Sequence, residues 1–321
     1  MVSKRPRNSS ASNFASGSST PARILIVARP GDEHADAVES FLRRETTALL
    51  RTSLTLLREH RLTWEPGGNL TLADGLKQHT IGPTTTVWWR RTGSTSVEDL
   101  EPAEAELVRH ELPVILGGAL LAQRVRWVDC PYAIERAENK LYQLIVAHKL
   151  GLPTPPTLIT NSPESARGFA AGRRVVAKAV SGGPGLAPFV DRVPLELLER
   201  VAAAPTLLQE EVVGNADARV VTVADRVLMW SRRREPTDPP DWRACDPSGE
   251  QFRLGAAPAL LESAATTLAN ALGLSMTVQD WLLSDSGPVF LEVNPQGQWL
   301  FLDGAEAVVV PVLARHLLGA A

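Results

Sequence analysis

The segment FLEVNPQGQW, from Phe290 to Trp299, places Glu292 and Asn294 two residues apart in an otherwise apolar run. Side chains two residues apart on a β-strand point to the same face of the sheet, with their Cα atoms ~7 Å apart. A carboxylate and an amide on one face of an apolar strand need partners, because buried polar groups are rarely left unpaired. The segment therefore predicts a polar site at the end of a strand.

The strand that precedes this segment supplies a third oxygen ligand. The sequence VQDWLLSDSGPVFLEVNP predicts two strands around Asp285-Ser286-Gly287, and a tight hairpin there brings Asp280 opposite Glu292. Asp280, Glu292 and Asn294 together offer two carboxylates and an amide oxygen, with no His or Cys nearby, which suits Mg²⁺. The alternative is that one carboxylate pairs with an arginine and the amide caps a turn, which explains each residue but not the three together.

A lysine and a glycine-rich loop upstream point to a polyphosphate. In RRVVAKAVSGGPG, strand alternation puts Lys178 on one face with Val176 and Val180, although a lysine at a sheet edge can also extend to solvent. The following loop contains Ser181, Gly182 and Gly183, and glycine backbone N–H groups can approach phosphate oxygens without interference from a Cβ. The lysine precedes the glycines, so the order differs from that of a Walker A loop.

A second hairpin is predicted where ARVVTV and RVLMWSR flank Ala224-Asp225. Alternation places Arg219 on the same side as Val221 and Val223, so an arginine opens the inner face of an apolar strand. An ion pair with Asp217, or with a carboxylate across the sheet, is the structural alternative to a binding role. The run 232–234, three arginines, is typical of a solvated strand end, but a strand can also direct alternate members into a cleft.

Composition excludes several classes of function. The chain has 321 residues and a formal net charge of −3 with scattered basic residues, so nucleic acid is not expected as the main partner. Two cysteines, Cys130 and Cys245, are too few for a disulfide framework or a structural zinc site and favour a reducing cytoplasm. No apolar run approaches the ~20 residues of a membrane helix, so we expect a soluble protein with no membrane partner.

The order of elements predicts an α/β protein with a tail and two domains. Residues 1–22 are Ser-rich and acid-poor and are expected to be a disordered tail; a transit peptide has a similar composition, but the apolar periodicity is absent. Residues 23–128 predict a small α/β domain that opens with the strand ARILIVAR and the helix DEHADAVESFLRR. Gly31 is the only glycine in the turn between them, which disfavours binding of a nicotinamide or flavin cofactor by this unit. In residues 129–321, YAIERAENKLYQLIVAHKLGLP predicts one helix that contains Lys140 and ends at Gly151, and Ser162 predicts the N-cap of the next helix.

Taken in order, these features resemble the ATP-grasp ligases. The matching pieces are VVAKAVSGG, LLQEEVVGNADARVVTV and FLEVNP. The resemblance implies two α+β lobes that sandwich ATP, with the smaller lobe at about 155–212, preceded by a small α/β domain. It also implies roles for individual residues. ATP phosphates would be bound by Lys140, Lys178 and the loop Ser181, Gly182, Gly183; adenine by Gln209, Glu210, Glu211 and Val212; and Mg²⁺ by Asp280, Glu292 and Asn294. Arg219 would contact the transferred phosphate or the acyl-phosphate intermediate, with Lys178 and Arg219 the catalytic pair.

A closer resemblance, from about Arg23 to Leu318, is to the ATP-grasp maturases of ribosomal peptides, which form graspetides. It is carried by VWWRR (87–91), RWVDCPYAIERAENKLYQL, LGLPTPPTLITNSPE and DWRACD (241–246). The chain departs from the family pattern at Asp129-Cys130, at Thr92 and in the arginine run 232–234, which bears on the substrate more than on the activation chemistry.

This resemblance implies a macrocyclase. Asp or Glu side chains of a precursor peptide would be activated by ATP as acyl phosphates and closed with Thr, Ser or Lys into esters or amides. The partner would be a ribosomal precursor with a leader and a Thr- and Asp/Glu-rich core, contacted by Arg232, Trp242 and Arg243, and a homodimer is compatible with the resemblance. The alternatives are a small-molecule carboxylate–amine ligase and a non-catalytic ATP-binding module.

Overall fold

The computed structural model describes residues 20–21, 23–67, 69–75, 77–180 and 191–319. The predicted phosphate loop of Ser181, Gly182 and Gly183, and the predicted tail apart from Thr20–Pro21, lie outside the described residues. The described helices are α1 (Glu33–Glu45), α2 (Pro102–Ala122), α3 (Pro131–Glu138), α4 (Lys140–Lys149), α5 (Pro163–Ala170), α6 (Ala259–Leu272) and α7 (Ala305–Leu318).

The described strands are β1 (Thr20–Pro21), β2 (Ile24–Val27), β3 (Leu49–Thr52), β4 (Arg61–Thr63), β5 (Leu70–Asp74), β6 (Lys77–Ile81), β7 (Thr86–Trp89), β8 (Arg126–Val128), β9 (Thr157–Thr160), β10 (Val175–Lys178), β11 (Asp191–Arg192), β12 (Thr206–Glu210), β13 (Ala216–Val223), β14 (Arg226–Arg233), β15 (Arg253–Gly255), β16 (Met276–Ser284) and β17 (Gly287–Asn294).

The described residues form four sheets, and the first is parallel with the order β3-β2-β7-β8. All four side chains of β2, the predicted opening strand, are buried, as expected for a continuous apolar run covered on both faces. A second four-stranded sheet, β1-β6-β5-β4, is formed by strands that lie between β3 and β7 in the chain and by the short β1.

The third sheet is antiparallel, has the order β11-β10-β12-β9, and falls within the segment predicted as the small lobe. Its core is apolar and includes Ala166 of α5, Leu198 of a 3₁₀ segment, and Leu208 of β12. As predicted, Ser162 caps α5 by accepting a hydrogen bond from the Ser165 N–H, with Pro163 in the first turn.

The largest sheet is antiparallel, with the order β15-β14-β13-β16-β17. Both predicted hairpins are present: β13 and β14 join through Ala224-Asp225, and β16 and β17 join before Gly287. The predicted alternation of β13 is confirmed, because Val221 and Val223 lie in one apolar core and Val220 lies in another with α6.

The C-terminal helix α7 lies against the N-terminal unit. Val309, Leu313 and Leu317 share one apolar core with Val38 and Leu42 of α1 and with strands of both the parallel and the largest sheet. In space, therefore, the end of the chain completes the core of the segment predicted as the N-terminal domain.

The prediction of one continuous helix after Tyr132 is wrong, because the chain forms α3 and α4 with a break at Asn139. The backbone of Asn139 is extended (φ −75°, ψ 110°), and its side chain accepts hydrogen bonds from the N–H groups of Leu141 and Tyr142. An Asn that bonds to nearby backbone N–H groups favours a helix start over a helix interior.

The helix α2 begins at Pro102, and it is the longest helix described, at 21 residues. Neither it nor any other helix of the described residues is long and apolar enough to cross a membrane.

Candidate active site

A cavity of about 310 Å³ lies between the third sheet and the largest sheet. It brings together most of the residues that the sequence analysis selected from separate segments. Of those residues, the ones that line it are Lys140, Lys178, Gln209, Glu210, Glu211, Val212, Trp242, Arg243, Asp280, Glu292 and Asn294. The apolar side chains of Val176 and Leu291 also line it, and the sequence analysis gave them no role in the site.

Glu292 is the centre of a charge cluster in this cavity. Lys140 Nζ lies 3.1 Å from Glu292 Oε2, and Asn294 Nδ2 donates to Glu292 Oε1 at 3.3 Å. Burial by itself raises the pKa of Glu292, but the nearby Lys140 and Lys178 ammonium groups lower it to about 2. Burial lowers the pKa of Lys178, against the attraction of Glu292. Glu292 is therefore ionised at neutral pH.

Asp280 and Arg219 form a buried ion pair beside this cluster. Arg219, Asp280 and Glu292 are direct neighbours in a row across β13, β16 and β17. Arg219 Nη1 donates to both oxygens of Asp280, at 2.7 and 3.0 Å. Burial raises the pKa of Asp280, and the Arg219 charge opposes that shift. The cross-strand ion pair that the sequence left open for Arg219 is therefore present.

The donor set of the predicted magnesium site fits a hard cation. Asp280 pairs with Glu292 across the β16–β17 hairpin, and Asn294 bonds to Glu292, so two carboxylates and an amide share one end of the cavity. Across the described residues, no group of three or more His, Cys, Asp and Glu is arranged to hold a metal ion. A cation held by these three side chains would take its remaining ligands from phosphate oxygens and water.

The segment at the end of β12 is closely tied to its neighbours. Gln209 is buried and donates from Nε2 to Thr157 Oγ1 at 2.9 Å. Glu211 accepts two hydrogen bonds from Arg192, at 2.7 and 2.8 Å, which lower the pKa of the Glu211 carboxyl. Both side chains are thus held in place at one side of the cavity.

The three predicted substrate residues differ in position. Arg243 lies 4.4 Å from the Trp242 ring, bonds to Asp241 at 3.1 Å, and has a guanidinium nitrogen 3.9 Å from Asp280. Arg232, by contrast, is 2 % exposed and does not line this cavity. Asp217 and Asp238 hold its guanidinium at 2.8 and 2.9 Å, so Arg232 is not brought to the site.

A second cavity of about 610 Å³ adjoins the first, and the sequence analysis did not assign Arg91 to it. Arg91, Arg219 and Arg243 line it together with the rings of Trp242 and Phe301, and Trp242, Arg243 and Asn294 line both cavities. The available signal was the segment VWWRR, which ends at Arg91 and was selected by resemblance without a role for its arginines.

The comparisons with known proteins agree with this architecture. No protein-family model matches the chain. Among curated proteins, it is 27% identical over 196 residues to a probable alpha-L-glutamate ligase 1 of Pseudoalteromonas atlantica, which covers 58% of this chain and 63% of that protein. It is 30% identical over 172 residues to a probable alpha-L-glutamate ligase of Trichodesmium erythraeum, covering 50% and 57%. The chain therefore spans less than two thirds of the length of these curated relatives.

Solved structures match over nearly the whole chain. A Chryseobacterium gregarium RiPP-associated ATP-grasp ligase, in complex with ADP and a leader and core peptide, has a TM-score of 0.83 at 22% identity, covering 93% of this chain and 97% of that one. The macrocyclase MdnB of Microcystis aeruginosa MRC has a TM-score of 0.73 at 26% identity, covering 92% and 99%. The ATP-grasp ligase PsnB, complexed with a minimal precursor, Mg and ADP, has a TM-score of 0.75 at 22% identity, covering 94% and 98%. The ATP-grasp fold expected from the sequence is confirmed, and it matches the fold of RiPP-associated ATP-grasp ligases.

Proposed function

We propose that this protein is an ATP- and Mg²⁺-dependent ligase that closes side-chain macrocycles in a ribosomal precursor peptide. The observation that carries the proposal is the pair of adjoining cavities. One gathers Lys140, Lys178 and the oxygen ligands of Asp280, Glu292 and Asn294, and the other is lined by arginines. A polyphosphate and an acidic side chain would meet at their shared wall, which includes Asn294, Trp242 and Arg243.

In the first cavity, Lys140 and Lys178 would bind phosphate oxygens, and Asp280, Glu292 and Asn294 would hold Mg²⁺. A bound Mg²⁺ would neutralise charge on the phosphate oxygens. Because the pKa of Glu292 is about 2, its carboxylate is charged and ready to bind a cation at neutral pH. Lys140, which pairs with Glu292 here, would turn to the phosphates when a cation takes its place.

The second cavity suits the carboxylate to be activated. Arg219 and Arg243 both approach the carboxylate of Asp280, and Arg91 lines the same cavity, so positive charge exceeds negative charge there. The rings of Trp242 and Phe301 line the cavity beside these arginines. An Asp or Glu side chain of a peptide would be held by charge-assisted hydrogen bonds.

The proposed chemistry has two steps. A carboxylate oxygen of the peptide attacks the terminal phosphorus of ATP; an O–P bond forms, and the bond to the ADP oxygen breaks. A Thr or Ser hydroxyl, or a Lys amine, of the same peptide then attacks the acyl carbon; phosphate leaves with the C–O electron pair, and the nucleophile loses its proton to a base. The chain's contribution is positioning and charge, supplied by Lys140, Lys178 and Arg219.

The test uses the full-length protein with a candidate precursor peptide, ATP and Mg²⁺. Each ring closed should lower the peptide mass by one water, and a non-hydrolysable ATP analogue should leave the mass unchanged. ATP consumption without any mass change across precursors encoded beside the gene contradicts macrocyclisation. Gel filtration of the same sample tests whether the protein is a homodimer.

A small-molecule carboxylate–amine ligase is the second candidate, and the names of the curated relatives, probable alpha-L-glutamate ligases, favour it. The two candidates differ in the substrate that stimulates ADP release, which is a peptide for the first and a free amino acid such as glutamate for the second. A non-catalytic ATP-binding module is disfavoured by the retained Lys178, Arg219, Asp280, Glu292 and Asn294. Tight ATP binding with no ADP release under any condition supports it instead.

A further inference from the structure

The segment 295–300, here called the post-strand segment, follows β17 and orients two arginines of the second cavity through its backbone. The Gln298 carbonyl accepts hydrogen bonds from Arg219 Nη2 at 2.8 Å and from Arg219 Nε at 3.3 Å. The Gln296 carbonyl accepts one from Arg91 Nη2 at 3.3 Å. The segment therefore contributes to the positions of both arginines, beside the Asp280 carboxylate that holds Arg219 through Nη1.

One face of the segment is fixed by close packing on the largest sheet. A Cβ added at Gly297 would lie 2.5 Å from Val278 Cβ and 3.1 Å from Asn294 Cβ. Only a glycine permits this approach, so the segment lies directly on β16 and the end of β17.

The other face is held by His34, near the start of α1. His34 Nε2 accepts hydrogen bonds from the backbone N–H groups of Trp299, at 2.9 Å, and Leu300, at 3.2 Å. The His34 ring also meets the Trp299 ring edge to face, with centroids 4.8 Å apart. His34, in the N-terminal unit, thus accepts a hydrogen bond from the Trp299 N–H, which belongs to the same peptide group as the Gln298 carbonyl that contacts Arg219.

His34 itself is anchored. Asp32 caps α1 by accepting from the Ala35 N–H at 2.9 Å, and the same carboxylate accepts from Arg90 Nε at 2.8 Å. His34 is 6 % exposed, and a nitrogen that accepts two N–H bonds carries no proton, so the ring proton resides on Nδ1. Burial and the Arg90 charge lower the pKa of His34 to about 3, against the attraction of Asp32, which keeps this acceptor available at neutral pH.

We propose that His34 is a positioning residue for the second cavity: by accepting from Trp299 and Leu300 it fixes the Gln298 carbonyl that orients Arg219. The competing account is that His34 only helps α1 pack. The proposal rests on the proposed function only for the role of Arg219 in the reaction. The position of Arg219 itself can be measured without any peptide.

The test follows the side-chain Nε–H signal of Arg219 by ¹⁵N NMR, identified by its loss in Arg219→Lys. His34→Leu removes the acceptor, His34→Gln keeps an oxygen near the Nε2 position, and Val38→Ala weakens the same core of α1 but removes no hydrogen bond to the segment. We expect His34→Leu to shift the Arg219 signal and to speed its hydrogen exchange at least tenfold, and the other two variants to preserve it. An Arg219 signal unchanged in His34→Leu, or lost equally in Val38→Ala, overturns the proposal.

A measurement on the unaltered protein covers the case in which His34→Leu does not fold. Histidine ¹⁵N spectra at neutral pH should show His34 with its proton on Nδ1 and an unprotonated Nε2. A proton on Nε2 overturns the proposal, because that atom could then accept neither hydrogen bond.

Nucleotide affinity separates this proposal from the proposed function. If Arg219 contacts the transferred phosphate, His34→Leu and Arg219→Lys should both weaken binding of Mg²⁺ with a non-hydrolysable ATP analogue severalfold, and leave the affinity for Mg²⁺ with ADP unchanged. A shifted Arg219 signal with unchanged binding of both nucleotides upholds the positioning role of His34 and removes the phosphate role of Arg219.

Discussion

At the scale of single residues, Asp280 and Glu292 are neighbouring carboxylates whose surroundings shift their pKa values in opposite directions. Two lysines lower the pKa of Glu292 to about 2, whereas burial raises the pKa of Asp280 despite its Arg219 partner. Glu292 is therefore charged at neutral pH. A cation at this site would bind the Glu292 carboxylate and would also favour the ionised form of Asp280.

We expect Glu292→Gln to weaken Mg²⁺-dependent nucleotide binding at least tenfold and to lower turnover by orders of magnitude, because the amide removes the charge and preserves the shape. Asn294→Ala should act in the same direction on turnover. Calorimetric titration of ATP with and without Mg²⁺ measures the first effect. Glu262→Gln, an exposed carboxylate on α6, is the matched control and should change neither quantity. Normal activity in both site variants removes the metal role.

His34 predicts a pH dependence of stability. Its pKa is about 3 in the folded protein and near 6.5 in an unfolded chain, so between these values the unfolded state binds the extra proton. Its contribution is fully present above pH ~6.5 and is lost as the pH falls towards 3, by at most about 1.4 kcal/mol per pH unit. The groups that face it are Asp32, Arg90, Arg91 and Arg219.

The measurement for this prediction is urea unfolding of the wild type and of His34→Gln from pH 4 to pH 8. Below pH 6.5 the wild type should lose stability more steeply than His34→Gln as the pH falls. The difference in slope should correspond to about one additional proton bound by the unfolded state. Parallel curves for the two proteins would contradict a neutral, buried His34.

At the scale of elements, α4 is what brings Lys140 to the site. The break at Asn139 makes Lys140 the first residue of α4, and Gln143 then lies one turn inside the helix. Gln143 is buried; its amide donates to Val293 O and accepts from Val293 N, at 2.7 and 2.8 Å, and also donates to Ala137 O. Val293 lies between Glu292 and Asn294, so this amide joins the start of α4 to the strand that carries both ligands.

Gln143→Leu should therefore destabilise the protein by about 3 kcal/mol, because three hydrogen bonds are lost and buried backbone groups are left unpaired. Chemical denaturation measures this loss, and nucleotide titration should show weaker binding as Lys140 moves. Lys149→Gln, at the exposed end of the same helix, is expected to leave both unchanged. A loss below about 0.5 kcal/mol would mean that the contact between α4 and β17 does not depend on the amide.

At the scale of the whole molecule, the two ends of the chain share one core. The helix α7 packs on α1 and β2, and Arg126 Nη1 donates to the carbonyl of His316 at 2.8 Å. The second cavity also depends on this arrangement, since Arg91 comes from the N-terminal unit and Arg219 from the largest sheet. The N-terminal unit is therefore part of the site as well as of the fold.

Leu313→Ala tests this coupling. Removing a fully buried leucine from α7 should cost about 2–5 kcal/mol and speed amide hydrogen exchange in α1 and β2 more than in the third sheet. Leu208→Ala, in the core of the third sheet, should have the reverse pattern. The same exchange pattern in both variants would show that the cores do not open independently.

Local sequence was sufficient for the hairpins, the Ser162 cap and the row that brings Asp280 opposite Glu292. Alternation along a strand and short turns are local rules, and the register of a tight hairpin follows from the turn. The order of lysine, arginine and acidic residues was also sufficient to indicate the ATP-grasp fold, through its resemblance to the ATP-grasp ligases. The break at Asn139 was a local signal too, but the apolar pattern on either side of it outweighed the cap.

Tertiary structure alone decided which cations meet which anions. The sequence could not assign Arg232 to Asp217 and Asp238, or Arg219 to Asp280. An arginine near a cleft can pair with any of several carboxylates, and only the distances between the charged groups show which pairs form. Nor could it join His34 to Trp299 and Leu300, which lie about 265 residues further along the chain. Local rules act over a few residues, whereas the second cavity and its supports are built by contacts between segments that only the complete fold brings within hydrogen-bonding distance.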